Sequence, residues 1–167
     1  MRAVVQRVAR AAVRVEGRTV GEIGCGLLVL LGIGRGDAAA EIEWMVNKLL
    51  GLRIFSDAAD KMNRSVSDIG GALLVVSQFT LYGDARKGTR PSFSGAMPPA
   101  EAQARYAQFL TRLRAATALP VATGTFAARM AVEQINDGPV TVILESPPPT
   151  PQTEAHKTFV SPETRVL

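Results

Sequence analysis

Residues 26–34 read GLLVLLGIG and residues 71–79 read GALLVVSQF, two apolar runs bounded by glycine. Each is less than half the length a bilayer span needs, so no membrane segment is expected. Unbroken hydrophobicity over this length is what a strand covered on both faces requires, which makes 26–33 a central strand and sets the rest of the chain around it. Upstream, RAVVQRV (2–8), AVRVE (12–16) and RTVGEI (18–23) alternate as half-buried strands do, the last two joined across Gly17 as a hairpin. Downstream, strands are expected at 72–81, 129–135 and 139–145.

Two helices complete the pattern. After Asp37, a candidate N-cap, Ile42, Met45, Val46, Leu49 and Leu50 recur at helical spacing until Gly51. A second helix is expected from Pro98–Pro99, with Ala102, Tyr106, Phe109, Leu110 and Leu113 on one face, ending before Pro120. The predicted class is α+β, with a mostly antiparallel sheet and two main helices. At 167 residues one domain is the default. Five of the ten prolines fall in the last 21 residues, and PPPTP can neither continue a helix nor donate to a sheet. The body is therefore expected at 1–146 and a Pro-rich tail at 147–167.

The amino terminus scatters arginines through MRAVVQRVARAAVRVEG instead of following a charged head with an apolar run, so no secretory signal is read and a cytoplasmic address is expected. A net charge of +4, with arginine supplying 15 of the 19 basic residues, suits recognition of phosphate or carboxylate. It permits nucleic acid as a partner without requiring it. A single cysteine, Cys25, and a single histidine, His156, cannot build a disulfide, a thiolate cluster or a multi-imidazole site. Neither metal nor cofactor is expected. His156 lies in the tail, away from any serine or cysteine it would have to activate. Cys25 has no neighbouring cation to favour its thiolate. GIGRGD at 32–37 lacks the spacing of a phosphate loop and reads as a strand-to-helix turn.

Three segments could carry chemistry. In SQFTLYGD (77–84) a buried strand turns polar at Ser77, Gln78 and Thr80, which costs energy unless partners are present; such groups either line a site or cap turns. ARKGTRPSF (85–93) gathers Arg86, Lys87 and Arg90 on a loop shaped by Gly88 and Pro91, either a grip for a phosphate backbone or a solvated charged face. In NDGPVT (136–141) a glycine-proline pair interrupts two strand-like runs, and X–Pro statistics alone read a trans turn between strands.

Taken in order, MRAVVQRV, SQFTLYGD with RKGTRPSF, and MAVEQINDGPVT resemble the D-aminoacyl-tRNA deacylases from Met1 to about Ser146. The resemblance implies a barrel-like core and a homodimer whose active sites lie at the subunit interface. Each subunit would lend a cis Gly138–Pro139 pair to its partner's site. The two carbonyls would leave room beside the substrate's α-carbon for hydrogen or a D side chain and exclude an L side chain. Arg7 resembles the family arginine that holds those carbonyls, and Met130 a methionine near the amino-acid pocket. Ser77, Gln78, Phe79 and Thr80 correspond to the stretch that takes the terminal adenosine and the ester. Backbone N–H groups around Phe79, aided by Gln78, would stabilise the oxyanion. Thr80 is a weaker nucleophile candidate because no general base accompanies it. Ala127 in GTFAARM stands where the family commonly has glycine, so a positive φ there would add strain.

The implied activity is hydrolysis of the ester of D-aminoacyl-tRNA, and of glycyl-tRNA mischarged on tRNA-Ala, with tRNA contacted through Arg86, Lys87 and Arg90. Two alternatives stand beside it. One is a related L-alanyl-tRNA-editing deacylase; the other is a non-catalytic RNA-binding module using the 85–91 loop.

Overall fold

The computed structural model describes residues 1–147. All but the first residue of the expected tail 147–167, and His156 with it, lies outside the described residues. The strands are β1 (Arg2–Val15), β2 (Arg18–Ile23), β3 (Gly26–Gly32), β4 (Phe55–Ser56), β5 (Met62–Arg64), β6 (Ala72–Ser77), β7 (Val121–Thr123) and β8 (Ala131–Glu145); the helices are α1 (Ala39–Gly51) and α2 (Pro99–Ala116). A 3-10 turn covers Phe79–Tyr82.

The main sheet runs in the order β2-β1-β3-β6-β7, with β8 also along β1. β3 and β6 pair in parallel, as do β6 and β7, while β1 is antiparallel to β2, β3 and β8. β1 is long enough to serve two neighbours on one edge. Its first half pairs with β3, from Arg2 opposite Gly32 to Val8 opposite Gly26, and its second half pairs with β2. At the far ends β2 and β7 approach so closely that a Cβ on Gly21 would overlap the carbonyl oxygen of Thr123. The sheet thereby curls into a nearly closed, barrel-like core, giving the expected α+β class with two helices.

The apolar runs earn their burial on both faces. From β3 and β6, Leu27, Val29, Leu31, Leu73 and Val75 face the helices, among Met45, Leu49, Phe109 and Leu113. The alternate residues Leu28, Leu74 and Val76 fill the inside of the curl with Val8, Val13 and Ile23. The β1–β2 hairpin turns through Glu16 (φ 49°) and Gly17 (φ 78°), the left-handed pair of a type I′ turn.

Several expectations need correction. The runs 2–8 and 12–16 form one strand, β1, because β8 stays paired along it across the gap, opposite Arg10 and Ala11. The strand expected over 72–81 stops at Ser77 and gives way to the 3-10 turn. The helix cap is Ala38, whose N–H is taken by the Glu41 carboxylate at 2.7 Å. The buried Asp37 carboxylate instead accepts from the Met1 amino group and from the Gly34 N–H, each at 2.7 Å. β4, β5 and β7 are two or three residues long, too short for any periodicity to announce them. The runs expected at 129–135 and 139–145 are a single strand, β8, and the Gly138–Pro139 bond within it is cis. No chain reversal occurs at NDGPVT because both halves stay paired with β1 across register shifts near Val8. The Asn136 side chain spans the irregularity, accepting from the Val140 N–H at 2.8 Å and donating to Thr141 Oγ1 at 3.1 Å.

The parallel β3–β6 pair leaves no room beside Gly26, where a Cβ would meet the Ala72 backbone, whereas Gly24 has nothing within 4 Å. Gly26→Ala should therefore lower unfolding stability by about 3 kcal/mol, and Gly24→Ala should change it by less than about 0.5 kcal/mol, both read from urea midpoints.

Candidate active site

The end of β3, the end of β6 with its 3-10 turn, the start of α2 and the loop before β8 enclose a cavity of about 720 Å³. That volume lies within the range of small-molecule sites. Its surface is mostly apolar, with Leu31, Val76, Met97, Phe126 and Met130 among the lining residues. Phe79 stands exposed at the wall with its ring edge-on to Phe93, centroids 5.1 Å apart. Beneath, the buried Tyr106 hydroxyl donates to the Val75 carbonyl at 2.9 Å and its ring packs against Phe126.

Why the chain turns here follows from its neighbours. The Gln78 N–H donates to the Leu31 carbonyl at 2.8 Å, the last rung beside β3. A Cβ on Gly32 would lie 3.0 Å from the Gln78 carbonyl oxygen, and one on Gly34 would overlap the Tyr82 ring. These two glycines seat the 3-10 turn. Arg2 holds it from the side, donating to the Leu81 carbonyl at 3.2 Å with its guanidinium 4.7 Å from the Tyr82 ring centre. Burial, then the nearby Asp37 carboxylate, pushes the Tyr82 phenol above its ordinary range. Tyr82 therefore stays protonated and is no base.

Of the expected site residues, Ser77, Gln78, Phe79 and Met130 meet at this cavity. Thr80 follows on the same turn, its hydroxyl oxygen accepting from the Gln78 side-chain amide. A donor on that oxygen opposes its use as a nucleophile. Among the described residues no hydrogen bond occupies the N–H groups of Phe79 and Thr80, the first two of the turn. Two adjacent unengaged donors, the first on a residue of the apolar wall, are suited to a developing oxyanion. Among the described residues no carboxylate, imidazole or lysine lines the cavity.

Gly138, Pro139 and Arg7 are not among the lining residues of their own chain's cavity. Gly138 and Pro139 are exposed on β8. Gly138 has φ +132° and no space for a side chain, since a Cβ would sit 3.0 Å from Arg7 Nη2 and from the Val140 nitrogen. Arg7 grips the strand one residue earlier than the resemblance implies. Its Nε donates to the Asp137 carbonyl at 3.0 Å and pairs with the Asp137 carboxylate at 3.1 Å, while Nη1 donates to the Ile54 carbonyl at 2.7 Å.

Arg86, Lys87 and Arg90 lie on an exposed loop closed by the Asp84–Ser92 bridge. They are not equivalent. Arg86 places two nitrogens on the Asp84 carboxylate, at 2.9 and 2.6 Å, and those bonds hold the Asp84 carboxyl down to about 2. Lys87 and Arg90 have no ion-pair partner among the described residues. Residues the sequence did not single out, Arg35, Phe93, Met97 and Phe126, also line the cavity. Phe93 and Phe126 sit inside RPSF and GTFAARM, so the segments were visible although these side chains were not.

A family model described as D-Tyr-tRNA(Tyr) deacylase matches residues 4–145. The D-aminoacyl-tRNA deacylase of Myxococcus xanthus is 60% identical over 149 residues, covering 89% of this chain and 97% of the relative. That of Chloroherpeton thalassium is 58% identical over 147 residues, covering 88% and 97%. Among solved structures, the c-Myc DNA unwinding element binding protein matches with a TM-score of 0.85 at 47% identity, over 89% of this chain and all of that one. A probable eukaryotic D-amino acid tRNA deacylase shares the fold at 21% identity and a TM-score of 0.71, over 86% of this chain and 97% of that one.

Ala127 lines the cavity at φ +60°, a left-handed conformation that strains a side-chain-bearing residue. Relief of that strain is partly offset by the looser unfolded chain of glycine. Ala127→Gly should raise the unfolding free energy by about 0.5–1 kcal/mol, seen as a higher denaturant midpoint.

Proposed function

The chain belongs to the D-Tyr-tRNA(Tyr) deacylase family, hydrolases of the ester of D-aminoacyl-tRNA, and from that membership we propose a proofreading enzyme selective for handedness. Its substrates are D-aminoacyl-tRNA and glycyl-tRNA mischarged on tRNA-Ala. The observation that carries the chemical reading is the unengaged N–H of Phe79, a residue of the apolar cavity's wall, followed on the same turn by the unengaged N–H of Thr80.

The terminal aminoacyl nucleoside enters the cavity with its ester carbonyl at the 3-10 turn. As water attacks, the carbonyl oxygen gains charge and the two N–H groups stabilise it; one such donor is worth about 3 kcal/mol in a preorganised site. The carbonyl carbon then releases the ribose hydroxyl, leaving free amino acid and tRNA. An aminoacyl ester is already activated, so a positioned water, assisted by the neighbouring ribose hydroxyl, meets the need without a side-chain base. Thr80 then serves position rather than bond making.

Selection is assigned to the Gly138 and Pro139 carbonyls of a second copy, with Arg7 holding the preceding residue. Two features support a shared site. The pair is exposed and is absent from its own chain's cavity lining. On the same strand Ile135 and Ile143 are exposed, Ile143 to 76%, apolar side chains that a partner would cover. The working molecule is a cytoplasmic homodimer of the 1–146 body, with Lys87, Arg90 and Arg86 meeting the tRNA backbone.

Purified protein should hydrolyse D-Tyr-tRNA at least a hundredfold faster than L-Tyr-tRNA; equal rates would overturn the handedness claim, and preference for L-alanyl-tRNA would favour the editing relative. Thr80→Val should keep kcat within about tenfold, because a general base or nucleophile normally contributes more; a loss beyond a thousandfold would restore Thr80 as nucleophile. Replacing Lys87 and Arg90 by glutamine should reduce the log–log salt slope of tRNA binding by about 1.5, at ~0.7–0.9 per phosphate contact. Arg86→Gln alone should change the slope less, since Asp84 already engages that side chain.

A further inference from the structure

Among the described residues lining the cavity, Arg35 is the charged one. It lies on the turn leaving β3, between the buried Gly34 and the exposed Gly36, and is itself exposed at the rim. Both its main chain and its side chain are tied to the loop ahead of α2. The backbone N–H donates to the Gly95 carbonyl at 3.0 Å and Nε donates to the Ser94 carbonyl at 2.7 Å. Fixing Nε orients the plane of the guanidinium and leaves both Nη groups without a partner among the described residues. The nearest carboxylate in sequence, Asp37, is turned inward onto the Met1 amino group and the Gly34 N–H. The result is a preoriented fork of donors at the mouth of an apolar chamber.

Such a fork accepts an oxyanion with two oxygens in one plane, a phosphate or a carboxylate. The proposed substrate decides between them. When its terminal nucleoside and aminoacyl group fill the chamber, the anion covalently attached to that nucleoside, and necessarily leading out of the mouth, is the phosphodiester on its 5′ side. We propose that Arg35 binds this phosphate, making the cavity mouth a reader of a nucleotide attached to a chain rather than of a free aminoacyl nucleoside. The contact acts on binding and on seating the ester at the 3-10 turn; no bond to phosphorus is made or broken. It rests on the deacylase reading and adds to it a site for the phosphate.

The test compares two small esters on the intact chain, D-tyrosyl-adenosine and the same ester of adenosine 5′-phosphate. Wild-type protein should cleave the phosphorylated ester with a KM about tenfold lower, the scale of one charge-assisted contact. Arg35→Gln should bring the ratio of the two KM values close to one, and Arg35→Lys, a point charge without the fork, should retain part of it. The ratio is internally controlled, because misfolded protein lowers turnover of both esters alike. Raising the salt should shrink the wild-type ratio and leave that of Arg35→Gln unchanged. A wild-type ratio near one, or a tenfold ratio that survives Arg35→Gln, overturns the phosphate contact while leaving the deacylase reading intact. Failure of wild-type protein to cleave either ester or D-Tyr-tRNA overturns the underlying reading and the contact with it.

Discussion

The hydrogen bond from the Gln78 N–H to the Leu31 carbonyl, at 2.8 Å, is where β6 stops being a strand. Up to Val76 both faces of β3 and β6 are committed to apolar packing, and no polar side chain there could be spared for chemistry. Immediately beyond it, the absence of side chains on Gly32 and Gly34 lets the chain fold down onto β3 as a 3-10 turn. The first residues of such a turn cannot find acceptors within it, so Phe79 and Thr80 keep unengaged donors among the described residues. The proposed oxyanion donors are thus a consequence of how a buried strand ends. They need no dedicated side chain, only a rigid seat, and the two glycines, Arg2 and the Tyr82 ring supply it.

How much of this could be read from the sequence depends on the range of the interaction that decides each feature. Helix α1 and the buried strands β3 and β6 were legible because their signal is local: periodic or continuous apolar residues whose burial varies with one neighbouring layer. The continuity of β8 was not, because NDGPVT carries turn residues and only pairing with β1, more than a hundred positions away, keeps both halves in line. Asp37 has the chemistry of a helix cap but finds a stronger partner in the Met1 amino group. At the site, Ser77, Gln78 and Thr80 stood out because polar residues ending an apolar run demand an explanation. Arg35 did not stand out, since what makes it notable is its contact with Ser94, 59 residues later. For Arg86, Lys87 and Arg90 the cluster was legible and the inequality was not, since it arises from Asp84 engaging one of the three.

The two kinds of main-chain group in the proposed mechanism do opposite work. Peptide N–H groups at Phe79 and Thr80 attract the oxygen that gains charge, while peptide carbonyls at Gly138 and Pro139 exclude a side chain from one side of the α-carbon. Handedness is a property of position in space, and a wall that discriminates it must move by less than the radius of a methyl group. Long side chains hold position poorly, as each rotatable bond adds freedom that must be frozen. A backbone wall within a paired strand, backed by Arg7 on Asp137 and by Asn136 across the irregularity, has little such freedom. The same logic explains why no residue but glycine is accommodated at 138, where both φ and the nearby Arg7 and Val140 atoms deny a Cβ. A wall of this kind would act on shape alone, so under the proposed mechanism an achiral glycyl ester falls on the accepted side: it has no side chain for the carbonyls to reject.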